Sequence, residues 1–533
     1  MSRGHSSGVA PASEIRAGIA ARPGEAPEGS SSWQAWLPTI SALVFLAAAA
    51  TFINLNKSIW LDESLTLDRT RTSVAETIRF AREVSNKPPL YFLLTYWWRS
   101  VASSIEWARA LSTVFILLTV VVFHHLSHAL RIGRGFLQLG VLCALLPHFL
   151  WAAAEARVYA MVVFLLSCCL LFFARVWITG TPHRWRDTVL FVVTSYAAIM
   201  TFYYAGFVLA AVFIAGLLYE DRKRLVAAGA ALALLFVPQA LAARGHVGSQ
   251  HGSYLPAITI DGPLSLARWV SSQLTELLLR GAPVFTGSLR EAVFAGLVFG
   301  IIGLRIGMTR GRVSREEWWA IGVASLSFAF LGALRLVNRT TVDTRHWIVV
   351  APPLLLAVAL TAARLQPRWV STTALGGFAA TLLIATTSFV RHERGPSDWR
   401  GAVQWIMVAQ KPRQPIVCFK THALPIAYYY RGPNTVQRVP ADSSIGITQT
   451  GERFHLDFPP GEVNRLRALL AQTGDPNPIF WIVAGETRVH APEVIAENLG
   501  QEVRVLESRR YHRVQAYRVQ LGAPRAPLRP PVS

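Results

Sequence analysis

The chain has 533 residues, 52% of them hydrophobic and only 16% charged, with a mean hydropathy of +0.35. Soluble domains carry about 25% charged residues, so the composition argues against a purely soluble enzyme and places most of the chain in a bilayer. Lys+Arg 52 against Asp+Glu 31 leaves a net charge of +21. In a polytopic membrane protein this reads as basic loops held at the cytoplasmic face, not as a nucleic-acid surface. Four cysteines without metal spacing exclude a disulfide scaffold and a zinc ribbon.

Residues 1–36, rich in Gly, Ala, Ser, Pro and charge, read as a disordered cytoplasmic N-terminus. A spanning helix needs about 20 mostly apolar residues. That criterion predicts about eleven spans, near 37–55, 105–126, 136–153, 157–178, 188–203, 204–220, 223–243, 291–308, 317–336, 346–364 and 371–390. Alternate loops carry Arg131 and Arg134, His183–Arg186, Asp221–Arg224, Arg310–Arg315 and Arg364–Arg368. All are short and basic, which puts the N-terminus inside and the C-terminus outside. From 391 the composition turns soluble. Strands are expected at Pro415–Phe419 and Ile479–Val483, a helix at Val463–Leu470 and a strand pair over Val503–Val519. The predicted architecture is mainly α: a membrane bundle over 37–390, a small extracytoplasmic α/β domain over 391–522, and a disordered Pro-rich tail over 523–533.

The candidate chemistry lies at the outer ends of spans. Trp60–Leu61–Asp62–Glu63 follows the first span, and paired carboxylates at a membrane boundary need a partner or a task. One of them could act as a general base or hold a metal. The same loop ends Asn86–Lys87–Pro88–Pro89–Leu90–Tyr91, where the prolines end any preceding helix. The short apolar run Leu90–Trp98 suggests an interfacial or re-entrant helix that holds Lys87 at headgroup depth, able to bind a phosphate. Glu106 and Arg109 are spaced to pair as a structural feature. Glu155–Ala156–Arg157–Val158–Tyr159 opens a span and offers a further carboxylate plus two phosphate-binding side chains. Asp343–Thr344–Arg345–His346 precedes Pro352–Pro353, with Arg345 a second phosphate candidate, Arg335 another, and His346 a satisfied interfacial histidine.

In this order these motifs resemble the GT-C membrane glycosyltransferases, specifically the glycosyltransferase family 39-like group. That group includes protein O-mannosyltransferases, the lipid A aminoarabinose transferase and the lipopolysaccharide-core galacturonosyltransferases. Thr201–Ala205 and Asp398–Trp399–Arg400 fit its later part. The resemblance implies a polyprenyl-phosphate sugar donor, inversion at the anomeric carbon, and a surface lipid, glycan or protein as acceptor, with no nucleic acid. It implies Asp62 as general base, and Glu63 and Glu155 orienting the acceptor or a metal. Lys87, Arg157, Tyr159 and Arg345 would bind the donor phosphate. Asn86 departs from members with an acid or His near this place, which leaves a divalent metal open. The implied location is a bacterial inner membrane. A transporter or flippase would place its charges near the midplane. A glycan ligase would concentrate basic residues in the 244–290 loop, which offers only Arg244, Arg268, Arg280 and Arg290 with His246 and His251. A non-enzymatic envelope scaffold would leave Asp62–Glu63 and Lys87–Pro88–Pro89 without a task.

Overall fold

The computed structural model describes residues 33–84, 87–132, 137–180, 182–219, 221–243, 260–280, 287–337, 342–393, 395, 397–419, 422–439, 446–450, 453–485 and 490–524. The expected disordered termini lie outside these residues except for 33–36, 523 and 524, as do Asn86, Arg134, Arg244, His246 and His251.

The chain begins with α1 (Leu37–Asn56), followed by α2 (Leu61–Arg69), α3 (Val74–Arg79) and α4 (Leu90–Trp98). Helix α4 occupies the predicted run, with Pro89 at its N-cap and Pro88 and Pro89 both buried. The long α5 (Ile105–Leu130) is capped by Ser104, whose hydroxyl accepts from the N–H of Trp107. One predicted span is corrected here. Residues 136–153 do not form a single helix but α6 (Leu139–Ala144) and α7 (Pro147–Ala153). Pro147 has no N–H to continue the ladder, so it starts a new helix. At the break, the Leu145 carbonyl accepts from Thr386 Oγ1 at 2.5 Å.

The bundle continues with α8 (Tyr159–Phe173), α9 (Arg184–Thr201), α10 (Ala205–Gly216), α11 (Arg222–Ala243), α12 (Pro263–Leu279), α13 (Gly287–Met308), α14 (Arg315–Val337), α15 (Ala351–Ala363) and α16 (Arg368–His392). Among the described residues, seven helices are long and apolar enough to cross a membrane: α1, α5, α8 with its π-helical extension, α13, α14, α15 with the preceding 3-10 turn, and α16. The chain is thus a multi-pass membrane protein. Of the other predicted spans, α10 has 12 residues and α9 opens on Arg184, Arg186 and Asp187, while α11 is a 22-residue helix whose charges all lie in its first turn. Helices α8 and α15 are the innermost, buried on nearly all sides.

The soluble part packs in three layers. Helices α17 (Trp399–Ala409) and α18 (Ala423–Tyr429) cover one face of a sheet, and α19 (Pro460–Ala471) and α20 (Ala491–Leu499) the other. The sheet comprises β1 (Ile416–Phe419), β2 (Val436–Val439), β5 (Ile479–Gly485), β6 (Gln501–Tyr511) and β7 (Val514–Pro524); β3 (Gly446–Thr450) and β4 (Arg453–Asp457) form a separate hairpin. The strand order is β2-β1-β5-β7-β6, with β2, β1 and β5 parallel and β7 and β6 antiparallel. Strand β5 is apolar along its length because both faces are covered. Phe480 and Ile482 point to the α19/α20 side, Trp481 and Val483 to the α17/α18 side.

Two ends of the bundle are chemically distinct. At one, Arg305 and Arg364 converge on Glu316, Glu317 and Ser314, and Trp177 Nε1 reaches the carbonyl of Asp221 at 3.2 Å. Basic loops expected to share a face therefore meet there. The other end carries the soluble domain.

Candidate active site

The C-terminal end of α1 forms the floor of this second end. Helix ends leave unpaired carbonyls that attract cations, and α1 has no basic residue in its last turn. Arg109 of α5 supplies one, donating to the carbonyls of Asn54 at 3.3 Å, Lys57 at 3.1 Å and Ser58 at 3.1 Å. Its fork also grips Glu63, Nε to Oε1 at 2.8 Å and Nη2 to Oε2 at 2.6 Å. The Ala156 N–H donates to Glu63 Oε1 at 2.9 Å. Burial opposes the Glu63 charge, but Arg109 outweighs it and holds the carboxyl below its ordinary range. The expected Glu106–Arg109 pair does not form; Glu106 lies 3.9 Å from Arg400. The α1 carbonyls and Glu63 draw the guanidinium inward instead.

Glu155 is also enclosed. It pairs with Lys57, both side chains without exposed surface, and accepts from Trp60 Nε1 at 2.5 Å. Lys57 is the residue that sequence reasoning missed. Its signal was a lone lysine ending an apolar helix at the same boundary as two carboxylates. Glu63 and Glu155 therefore face into closed ion pairs and present no carboxylate oxygen to open space. A divalent metal does not fit this arrangement. Each carboxylate of the cluster is already matched by Arg or Lys, and among the described residues no three His, Cys, Asp or Glu side chains come together.

Asp62 differs. It stands in the first turn of α2 with 22% of its side chain exposed. Arg345 Nη1 donates to Oδ2 at 2.6 Å, and Arg157 Nη2 approaches the same oxygen at 3.4 Å. Arg157 is anchored by the Asp62 carbonyl at 3.1 Å and Thr66 Oγ1 at 3.0 Å, one helical turn apart. Burial works against the charge of Asp62, yet Arg157, Arg345 and Lys87 together hold its carboxyl down to about 2. Lys87 stands half-buried at the foot of α4 and makes no side-chain hydrogen bond or ion pair among the described residues. Burial and the neighbouring Arg157 push its ammonium well below the ordinary lysine range, although Asp62 opposes them.

Two more groups complete the pocket. The Tyr159 hydroxyl is buried without a hydrogen-bond partner, its ring held by Trp151 at 5.0 Å and Phe202 at 6.0 Å. Arg345 lies 5.4 Å over the Trp60 ring and 3.0 Å from Asp343 Oδ2. Asp343 caps the turn that leads into α15, and the Asp343 N–H donates to His346 Nδ1 at 3.0 Å. His346 stacks on Tyr204, so it is a satisfied histidine as expected. Arg335 is buried in α14. Of the seven residues singled out, Asp62, Lys87, Arg157, Tyr159 and Arg345 share one pocket, and Glu63 and Glu155 brace it from behind.

The overall architecture is of the GT-C fold type. The chain is similar to ArnT from Cupriavidus metallidurans in its apo state, with a TM-score of 0.53 over 92% of this chain and 98% of that one. At 15% identity the likeness is one of fold. The Archaeoglobus fulgidus oligosaccharyltransferase in its apo form aligns at a TM-score of 0.48 and 15% identity, over 86% of this chain and 70% of that one. No protein-family model and no curated protein sequence matches the chain.

Proposed function

We propose that the chain is an integral membrane glycosyltransferase that moves a sugar from a polyprenyl-phosphate donor to an extracytoplasmic acceptor, with inversion. One observation carries this reading. Asp62 keeps open surface where Glu63 and Glu155 are closed, and Lys87, Arg157 and Arg345 surround it. The acceptor oxygen attacks the anomeric carbon, the bond from that carbon to the phosphate oxygen breaks, and the electron pair leaves with the phosphate. Lys87, Arg157 and Arg345 bind that phosphate and stabilise the charge it gains, with the Tyr159 hydroxyl as a further donor. Asp62 takes the proton from the acceptor hydroxyl.

A carboxyl held near 2 is a weak base, since efficient proton transfer needs a pKa nearer the working pH. The donor phosphate competes for the same guanidinium groups, so its binding loosens their hold on Asp62 and raises its basicity. Base activation is thereby tied to donor occupancy. An apolar cavity of about 180 Å³ between α12, α13, α14 and α15, lined by Leu274, Phe299, Phe328 and Leu354, suits a prenyl chain. In this reading the protein sits in a bacterial inner membrane, with its N-terminus cytoplasmic and the soluble domain outside.

The test is a lipid and glycan comparison by mass spectrometry of cells with the gene deleted, restored, and restored as Asp62→Asn. Loss of one sugar from a surface molecule, with its lipid-linked donor accumulating in the deletion and in Asp62→Asn, is the expected result. Full rescue by Asp62→Asn overturns the assignment of the base.

A further inference from the structure

A second charged cavity lies where the soluble domain meets the first loop. About 450 Å³ of space is enclosed by α2, the turn before α5, and α18 with β2 of the soluble domain. That is within the size range of small-ligand sites. Four arginines line it, Arg71, Arg99, Arg431 and Arg438, against one carboxylate, Asp68. Asp68 lies 3.4 Å from Arg69 and 3.9 Å from Arg71. Arg99, Arg431 and Arg438 have no carboxylate within ion-pair distance among the described residues. Arg99 is held in place by the Leu67 carbonyl at 2.6 Å and Thr70 Oγ1 at 2.8 Å, and its Nε is buried without a partner. Tyr428 is anchored by the Ile105 N–H at 2.9 Å. Arg431 Nη1 donates to the Tyr430 carbonyl at 2.8 Å, so three guanidinium groups without a carboxylate, from two separate parts of the fold, line one cavity, an arrangement suited to an anion.

The position gives the site a purpose. At 3.6 residues per turn, Asp62 and Thr66 occupy one face of α2 and Ser64, Leu67 and Asp68 the opposite one. The first face meets Arg157; the second lines the cavity. The cavity thus stands a helix's width, about 10 Å, from the base. Neither Lys87 nor Arg345 reaches it, so it is separate from the donor-phosphate cluster. We infer that this cavity binds the anionic group, phosphate or carboxylate, of a saccharide acceptor and holds that acceptor beside the pocket of Asp62. This inference rests on the transferase reading for its purpose, but the binding itself does not depend on it.

The test uses the full-length protein in phosphatidylcholine nanodiscs and calorimetric titration with glucose 6-phosphate, glucuronate and glucose. The expected result is binding of one or both anionic sugars and none of glucose. In Arg431→Gln/Arg438→Gln, at two exposed positions, affinity should fall at least tenfold with an unchanged melting temperature; in Lys87→Gln it should not. Equal affinity in the double variant, loss in Lys87→Gln, or no binding to the wild type overturns the proposal. Repetition with phosphatidylglycerol in the nanodisc separates the anion sources: competition by that lipid assigns the cavity to a headgroup and overturns the saccharide. Donor turnover, measured separately as release of polyprenyl phosphate, bears on the transferase reading alone.

Discussion

Asp62, Glu63 and Glu155 lie close together yet differ in partner and in burial. Glu63 and Glu155 lie in buried pairs, and removing one member of such a pair costs about 3–5 kcal/mol. Glu63→Gln is therefore expected to lower the melting temperature sharply, whereas Asp62→Asn lowers transfer to background with a smaller loss of melting temperature. Differential scanning of both variants beside an activity assay separates the two roles. Folding lowers the Asp62 carboxyl from its ordinary 3.8 to about 2. Its contribution to stability is thus complete above about pH 4 and lost as pH falls toward 2. The free enzyme holds Asp62 ionised throughout the ordinary acid range, so kcat/KM should show no acid limb from this group above pH 4. Lys87 gives the opposite signature. Burial and Arg157 depress its ammonium, so donor KM should rise with pH well below the ordinary lysine range. Lys87→Arg, which stays charged, should abolish that rise.

At the level of elements, the short α2 is decisive, since one of its faces meets Arg157 and the other lines the arginine-rich cavity. Its neighbours hold it from the soluble domain. Tyr429 accepts from the Ile59 N–H at 2.7 Å, and Tyr428 from Ile105. Arg400 reaches the Leu55 carbonyl at 3.0 Å and Ser58 Oγ accepts from its N–H at 3.1 Å. Gly395, at φ +83°, passes so close that a Cβ would stand 3.0 Å from Lys57 Cγ. Tyr429→Phe leaves the Ile59 N–H unpaired and should cost about 1 kcal/mol. If docking shapes the site, transfer should fall in Tyr428→Phe/Tyr429→Phe while the isolated melt of the sheet domain, followed by tryptophan fluorescence, is unmoved. Unchanged transfer would show the tyrosines to be mere fasteners.

For the molecule as a whole, the two ends of the bundle make a clear prediction of orientation. All four cysteines are buried, so single surface cysteines report cleanly. Ser103→Cys, on the end carrying the soluble domain, should react with an impermeant maleimide on intact spheroplasts. Arg312→Cys, in the basic turn between α13 and α14, should react only after permeabilisation. Reaction of both from one side would reject the orientation. The packing explains why the charged residues gather at one end: α1, α5, α8 and the turn before α15 all deliver theirs to the same end of the bundle.

Local sequence determined a good deal of this. Apolar runs located α1, α5, α8 and α13–α16, the double proline located α4, and in the tail the short apolar runs located β1 and β5 and the strand pair β6 and β7. These follow from burial and backbone preference, which act over a few residues. Local sequence also singled out Asp62, Glu63, Lys87, Glu155, Arg157, Tyr159 and Arg345 as candidates, because charge at a bilayer boundary is costly wherever it stands. The partners were not legible. Arg109 lies three residues from Glu106 yet binds Glu63, and Glu155 is matched by Lys57 almost a hundred residues away. Pro147 divided a run whose apolarity alone read as one span. Pairing depends on which helix ends the packed bundle brings together, and only the tertiary structure decided which carboxylate was left facing open space.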